Sequence, residues 1–454
     1  MTGLRRILAG VTVPLALLCA VSSGVRAQPA VTLPEPLTDA DFPSHPQAEI
    51  DLGRLLFWDP VLSGNRNISC ATCHHPRLGT SDGLSLGIGE GGRGVGPDRK
   101  PDPADYPEQR IPRNAPGLWN VGARGFTVLF ADGRIEVDPG RPTGFRTPLE
   151  DEMVSGFASL LSAQTMFPVL SSDEMAGHYE ENDISTLVRQ GRLTGPGGAW
   201  AAIAARVAAI PVYRQMFSAA YRDIAAGREI DFADISNAIA AYMTFDFRSD
   251  SAPFDARLRG ERRLSPQAEA GMSLFYGKAG CSACHSGPLL TDMKFHAMGD
   301  PQIGPGKAER FENHQRDTGR MKVSNNPSEA FAFRTPSLRN VTLTPPYGHA
   351  GAYRDLRAYL MQHSDPGSAL NTYSVSDAIL PGLELGKPDF APGDGGADFN
   401  AIAAAAAAAP RHVLVAAEIE DILAFLKSLE DPVAVAGGRM GIPDAVPSGL
   451  EIDG

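Results

Sequence analysis

Cys70-Ala71-Thr72-Cys73-His74 and Cys281-Ser282-Ala283-Cys284-His285 decide the reading of this 454-residue chain. Each has the Cys-x-x-Cys-His spacing that attaches a c-type haem. The two thiols add across the haem vinyl groups as thioethers, and the adjacent His reaches the iron as proximal ligand. On this spacing Cys70, Cys73, Cys281 and Cys284 bind two haems covalently, and His74 and His285 each hold an iron. A zinc ribbon would need two Cys pairs close enough to complete one tetrahedron. These pairs lie far apart in sequence, and each is followed at once by His. A redox dithiol needs neither the His nor a duplicate. Two haems make this a redox protein.

The opening residues read as a secretory signal over 1–27. Arg5 and Arg6 form its charged start, Ile7 to Ala20 its apolar stretch, and Val25-Arg26-Ala27 its cleavage site. The apolar run falls short of the roughly 20 residues a membrane span needs. Cys19, the one cysteine outside the two motifs, follows Leu18, where a lipid-attachment signal wants a small residue. Export suits covalent haem, because bacterial c-type cytochromes mature outside the cytoplasm, and the expected location is the periplasm. The formal charge is −12, and the leader contributes only basic residues. Such acidity argues against nucleic acid and fits an electron donor with a basic face.

Helical periodicity is plain in several places. Trp200 to Ile210 is Ala-rich and stops before Pro211; Phe232, Ile235, Ile239 and Tyr242 share one face; Ser265-Pro266 starts a helix that should end at Gly277. Ile419, Ile422, Leu423 and Leu426 form a further stripe, and Ala403 to Ala409 is low-complexity. Gly79 to Pro116 is rich in Gly and Pro, as a segment wrapping a cofactor would be. Almost no strand pattern appears. The expected class is therefore mainly α, as two cytochrome c-like haem domains with long loops. The polar stretch 247–264 marks the boundary, dividing the chain into 28–250 and 251–454.

The residues flanking the haem motifs resemble the bacterial dihaem cytochrome c peroxidase family, which includes the dihaem enzyme that matures methylamine dehydrogenase. The resemblance rests on Leu55-Leu56-Phe57-Trp58-Asp59-Pro60, Phe333-Arg334-Thr335-Pro336-Ser337-Leu338-Arg339-Asn340, Pro346-Tyr347-Gly348-His349-Ala350-Gly351 and the closing Ile422 to Leu429. It implies that the first haem handles peroxide while the second supplies electrons. Gln164, Pro168, Glu174 and Met175 match the family's peroxide pocket. Breaking an O–O bond requires a proton carried from one oxygen to the other, a task for Glu174, while Gln164 would hold the bound oxygen. The resemblance also implies a calcium ion held by Asn114 and the carbonyls of Thr344 and Pro346, all hard oxygen ligands.

Three positions depart from the family pattern. Where many members carry a blocking distal His, Gly87-Ile88-Gly89-Glu90-Gly91 has Glu90, which predicts a first iron open in the oxidised state. The family's bridging Trp is missing from Phe130-Ala131-Asp132-Gly133-Arg134. The sixth ligand of the second haem, elsewhere Met or Tyr, falls at His363, with Met361 its rival. The implied activity is reduction of hydrogen peroxide with electrons from a small cytochrome c or copper protein, with homodimerisation left open. The alternatives are a dihaem oxidase that modifies a protein or organic substrate, and a plain electron-transfer cytochrome.

Overall fold

Gly53 and Gly271 each stand where two helices cross too closely for any side chain. The computed structural model describes residues 1–2, 32–307, 316–385 and 397–453; all but the first two residues of the expected 1–27 leader lie outside them. A Cβ on Gly53, in the helix Gln47–Trp58, would lie 1.8 Å from the Ala238 carbonyl oxygen of the helix Phe232–Asp246. A Cβ on Gly271, in the helix Pro266–Phe275, would lie 1.8 Å from the Asp421 carbonyl oxygen of the helix Ala416–Lys427. In each pair one helix precedes a Cys-x-x-Cys-His motif in sequence, Gln47–Trp58 the first and Pro266–Phe275 the second.

The caps are written in the sequence. Asp231 accepts from the Asp234 N–H at 3.1 Å while the Asp234 carboxylate accepts from the Asp231 N–H at 3.0 Å, a reciprocal box. Ser265 accepts from Ala268 N at 3.2 Å with Pro266 in the first turn, and this helix ends at Phe275, close to the expected Gly277. The Ala-rich expectation appears as Ala199–Ala208, and Ala403 to Ala409 falls on the helix Ala397–Ala405 and the short turn Ala406–Ala408. The fold is mainly helical. The strands among the described residues are two or three residues long and pair only as small antiparallel ribbons.

Two main apolar clusters organise the molecule. The first packs Phe57, Trp58, Trp119, Tyr213, Phe217, Tyr242 and Phe247. The second gathers Phe254, Phe275, Phe425 and Leu429, with Phe425 lying 5.1 Å from the Phe275 ring and 5.2 Å from the Phe254 ring. The stretch 432–453 comes after the second cluster in sequence yet packs on the first, where Ala434 and Val446 are buried. There Ser448 Oγ donates to Asp59 at 2.6 Å, and the Arg439 and Met440 N–H groups donate to Asp246 at 2.7 and 2.6 Å.

The polar stretch 247–264 is pinned down. Asn120 and Ser249 exchange two hydrogen bonds of 2.7 Å, and Asn340 donates to Ser249 Oγ at 2.9 Å. Asp255 and Arg339 form an ion pair of 2.6 Å with neither side chain exposed. Charge in this stretch marks a tied crossing, because every buried polar group must find a partner.

Candidate active site

Both haem motifs end in the same local device. Cys70–Cys73 is one helical turn, started by Ser69 and Thr72, and His74 N–H donates to the Cys70 carbonyl at 3.0 Å. The ring Nδ1–H of His74 then donates to the Thr80 carbonyl at 3.0 Å. Thr80 is fully buried in the left-handed region at φ 65°. In the second motif His285 Nδ1–H donates to the Leu290 carbonyl at 3.2 Å, and Leu290 lies at φ 53°. A carbonyl can only accept, so each bond puts the proton on Nδ1 and leaves the Nε2 lone pair for a metal. Burial lowers the pKa of His74 and takes His285 down to about 4, with His363 adding to the shift. Both imidazoles are thus neutral, as iron ligands must be.

The thiols fit covalent attachment better than their rivals. Burial pushes Cys70 and Cys73 up to about 12 and Cys281 up to about 11, whereas a reactive dithiol needs a depressed pKa. Among the described residues neither Cys pair gathers the further ligands of a zinc site; Cys284 alone stands near Asp292 and His296. Arg334 adds a complement for a haem carboxylate. It donates to the carbonyls of Phe130 and Thr335 at 3.2 and 3.0 Å, and burial lowers its pKa to about 10. A buried cation with only carbonyls, the Met293 sulfur and the Phe126 ring beside it, and no ion-paired carboxylate among the described residues, is one that a propionate would satisfy.

Across from the second motif, the helix Leu356–Ser364 carries His363, whose Nδ1–H donates to the Tyr359 carbonyl at 3.2 Å. Its charge interaction with His285 sets the two imidazoles near one another. Met361, the rival, is 52 % exposed. The Tyr359 hydroxyl donates to Asp300 at 3.1 Å and its ring meets His363 edge-on at 4.5 Å.

Around the first motif the arrangement differs. Glu174 sits in a widened turn, Ser172–Ala176, where the Ser171 carbonyl accepts from Met175 and Ala176 at 3.0 and 2.8 Å. The loop through Gly89 runs against it: a Cβ on Gly89 would lie 2.1 Å from the Asp173 carbonyl oxygen and 3.0 Å from Glu174 Cα. Burial raises the pKa of Glu174, against the pull of Arg134 and Lys307, and its carboxylate is near enough to Cys73 to act on that thiol. Glu174 is therefore not the solvated acid that its Ser-Ser-Asp surroundings suggest. Gln164 lies in the short helix Leu160–Thr165 and is partly buried. Thr165 pins that helix to Ser236 through a hydroxyl pair at 2.5 Å.

Glu90 turns to a different neighbourhood. Its Oε1 accepts from Asn65 and Asn67 at 2.8 and 2.7 Å, and burial raises it to about 7. The loop that lacks Trp sits between residues of both halves. Arg334 N–H donates to the Ala131 carbonyl at 2.8 Å, and Arg320 donates to the Gly133 carbonyl at 2.9 Å. Within it the Arg134 guanidinium lies 3.4 Å over the Phe130 ring and pairs with Asp132 at 3.1 Å. Arg113 holds Asp132 at 2.7 Å and grips Asp317 through two bonds of 2.7 and 2.8 Å. Burial drives Lys307, beside this cluster, down to about 8.

Asn114 donates its amide to the Leu84 carbonyl at 2.7 Å. Thr344, from the other half, lies against Gly117: a Cβ there would be 2.9 Å from the Thr344 methyl. Arg113, Arg134, Lys307, Asp132 and Asp317 escape motif reading, because no spacing rule joins residues from such distant segments. The signal present is the charged pair inside Phe130-Ala131-Asp132-Gly133-Arg134, which in sequence stands out only for its missing Trp.

A sequence profile described as Di-haem cytochrome c peroxidase matches residues 47–263. The chain is 31 % identical over 325 residues to the methylamine utilization protein MauG of Methylorubrum extorquens, covering 70 % of each chain. It is 28 % identical over 355 residues to the cytochrome c551 peroxidase of Pseudomonas aeruginosa, covering 76 % of this chain and 81 % of that protein. Among solved structures it is similar to a MauG-like protein associated with microbial copper homeostasis, at a TM-score of 0.56 and 26 % identity, covering 89 % of this chain and 95 % of that one. Two Cys-x-x-Cys-His motifs with their imidazoles held in the metal-binding tautomer and this extended identity lead to one conclusion: the chain belongs to the dihaem cytochrome c peroxidase family and is an oxidoreductase.

Proposed function

We propose that this chain is a periplasmic dihaem peroxidase that reduces hydrogen peroxide to two waters, taking two electrons from a small cytochrome c or copper protein and two protons from solvent. Cys70, Cys73 and His74 would hold one haem. Cys281, Cys284 and His285 would hold the other, with His363 as its second axial ligand. Bound there, the haems supply electron storage and peroxide activation.

The observation that carries the reading is the asymmetry between the two motifs. His363 lies close enough to His285 to lower its pKa, whereas near Cys73 stands the partly buried Glu174. Glu174 would take a proton from one peroxide oxygen and return it to the other, and its raised pKa brings it nearer to working pH. Arg134 and Lys307 would stabilise its carboxylate before it takes the proton and again after it returns it. Gln164 would orient the bound peroxide by hydrogen bonding. Glu90, engaged by Asn65 and Asn67, would leave the iron face clear. Asn114, with the Thr344 and Pro346 carbonyls, would hold a calcium ion between segments of the two halves.

A second reading, peroxide-driven oxidation of a protein or organic substrate, draws on Glu90 in place of a blocking His and on the likeness to MauG. An EPR spectrum of the oxidised protein tests the shared premise: one low-spin and one high-spin haem are expected, and two low-spin haems would overturn it. Peroxide turnover with a reduced small cytochrome, set against turnover with candidate protein substrates, then separates the two readings. A failure to bind cyanide at either haem would leave only electron transfer.

A further inference from the structure

We propose that Asp105, His178 and Glu181, backed by Glu90, bind one divalent transition-metal ion of the zinc type, at a site separate from both haems. One carboxylate oxygen from each of Asp105 and Glu181 and one ring nitrogen of His178 lie within 4.8 Å of one another. The group is built locally. The His178 N–H donates to Glu181 Oε2 at 2.7 Å, and Nδ1 stands 3.2 Å from Oε1 of the same carboxylate.

Two buried atoms point to a missing partner. His178 is 8 % exposed; its Nε2 makes no hydrogen bond, and Asp173 Oδ1 reaches it only as an ion-pair contact at 3.9 Å. Glu90 is 1 % exposed and its Oε2 likewise has none. Yet the Glu90 and Asp105 carboxyl groups are neighbours that both accept from the Asn67 amide. Two carboxylates so close repel unless a proton or a cation lies between them.

The surroundings resemble the outer shell of a metal centre. Asn65 donates both to Glu90 Oε1 at 2.8 Å and to Glu181 Oε2 at 2.9 Å. Asn67 donates to Glu90 Oε1 at 2.7 Å and reaches Asp105 Oδ2 at 3.4 Å. These amides orient three carboxylates around one imidazole without neutralising them. Glu181 is exposed and gives an ion its way in. An imidazole among carboxylates suits zinc, iron or manganese, whereas calcium prefers oxygen alone; the calcium ligands Asn114, Thr344 and Pro346 offer only oxygen. The Glu90 N–H also donates to the Asp173 carbonyl at 3.0 Å. A bound ion would therefore fasten the loop through Glu90 to the segment that carries Glu174.

The test is a zinc titration of the haem-loaded protein after dialysis against a chelator, read by metal analysis and by thermal unfolding. Expected is one zinc per chain beyond the haem iron, a raised Tm, and no displacement by excess calcium. His178→Ala should weaken binding at least about 10-fold. Glu181→Gln, at the exposed rim, should do the same with unchanged haem absorbance, which covers the case in which His178→Ala fails to fold. Absence of saturable binding in the wild type would overturn the site and leave a shared proton between Glu90 and Asp105. Undiminished binding in Glu181→Gln, or displacement by calcium, would overturn it equally.

Discussion

The two halves of the molecule build the same cradle and then diverge on the opposite side of it. In each, a glycine lets two helices cross in backbone contact: Gly53 at Ala238 and Gly271 at Asp421. In each, a proximal imidazole gives its Nδ1 proton to a carbonyl displayed by a left-handed residue, Thr80 or Leu290. The surroundings beyond it are unlike. Near the first motif stands Glu174, with Arg134 and, from the second half, Lys307; near the second stands His363 with Tyr359 and Asp300. A motif thus specifies attachment, and the segments folded over it specify chemistry. A closed, two-imidazole site suits electron transfer, while a site faced by a carboxyl of raised pKa suits proton transfer to a bound oxidant.

Several measurements would break or sharpen that contrast. The largest effect is expected from Glu174→Gln, which keeps the shape but removes the exchangeable proton. Peroxide turnover should fall about 10²- to 10⁴-fold with the spectrum of the second haem unchanged. Turnover within a factor of a few of wild type would erase the functional difference between the halves.

Next comes Arg339→Ala, which strands the fully buried Asp255. The loss should be about 3–5 kcal/mol of stability by denaturant titration, and a much smaller loss would mean that water reaches the carboxylate. The Arg113–Asp317 pair gives a pH signature. Burial alone would raise the Asp317 carboxyl, but Arg113 overrides this and holds it down to about 2. An unfolded Asp titrates near 4, so the pair stabilises the fold above that pH by about 2 kcal/mol and loses this as pH falls towards 2. Asp317→Asn should flatten that part of the stability curve.

The helix crossings test the likeness of the halves directly. Gly53→Ala and Gly271→Ala should each cost about 1–3 kcal/mol by forcing the helices apart, and a large difference between them would show that one crossing is looser. Smallest of all is Met361→Ala, expected to change stability by less than about 0.5 kcal/mol and to leave both haem spectra intact. His363→Ala should open the second haem to cyanide. A reversal of these two outcomes would make Met361 the ligand.

Much of this was legible in order along the chain. The helix Phe232–Asp246 is readable from Asp231 and the spacing of Phe232, Ile235, Ile239 and Tyr242, because periodicity and capping are local. The haem motifs are readable because covalent attachment demands fixed spacing. The burial of Glu174 is not, since Ser171, Ser172 and Asp173 beside it suggest solvent. Its setting comes from Gly89 and from cations distant in sequence. The partnership of Arg113 with Asp317, 204 residues apart, obeys no periodicity either.

By itself the sequence determined two haem attachment motifs, a mainly helical chain and the residue types available to each pocket, since all three are written in short spacings. Tertiary structure alone decided that Met361 faces solvent while His363 lies near His285, and that Glu90 turns towards Asn65 and Asn67. Only packing decided that 432–453 returns to the first core. The reason is physical: a side chain's direction and burial depend on which remote segments close over it, and no local spacing encodes that choice.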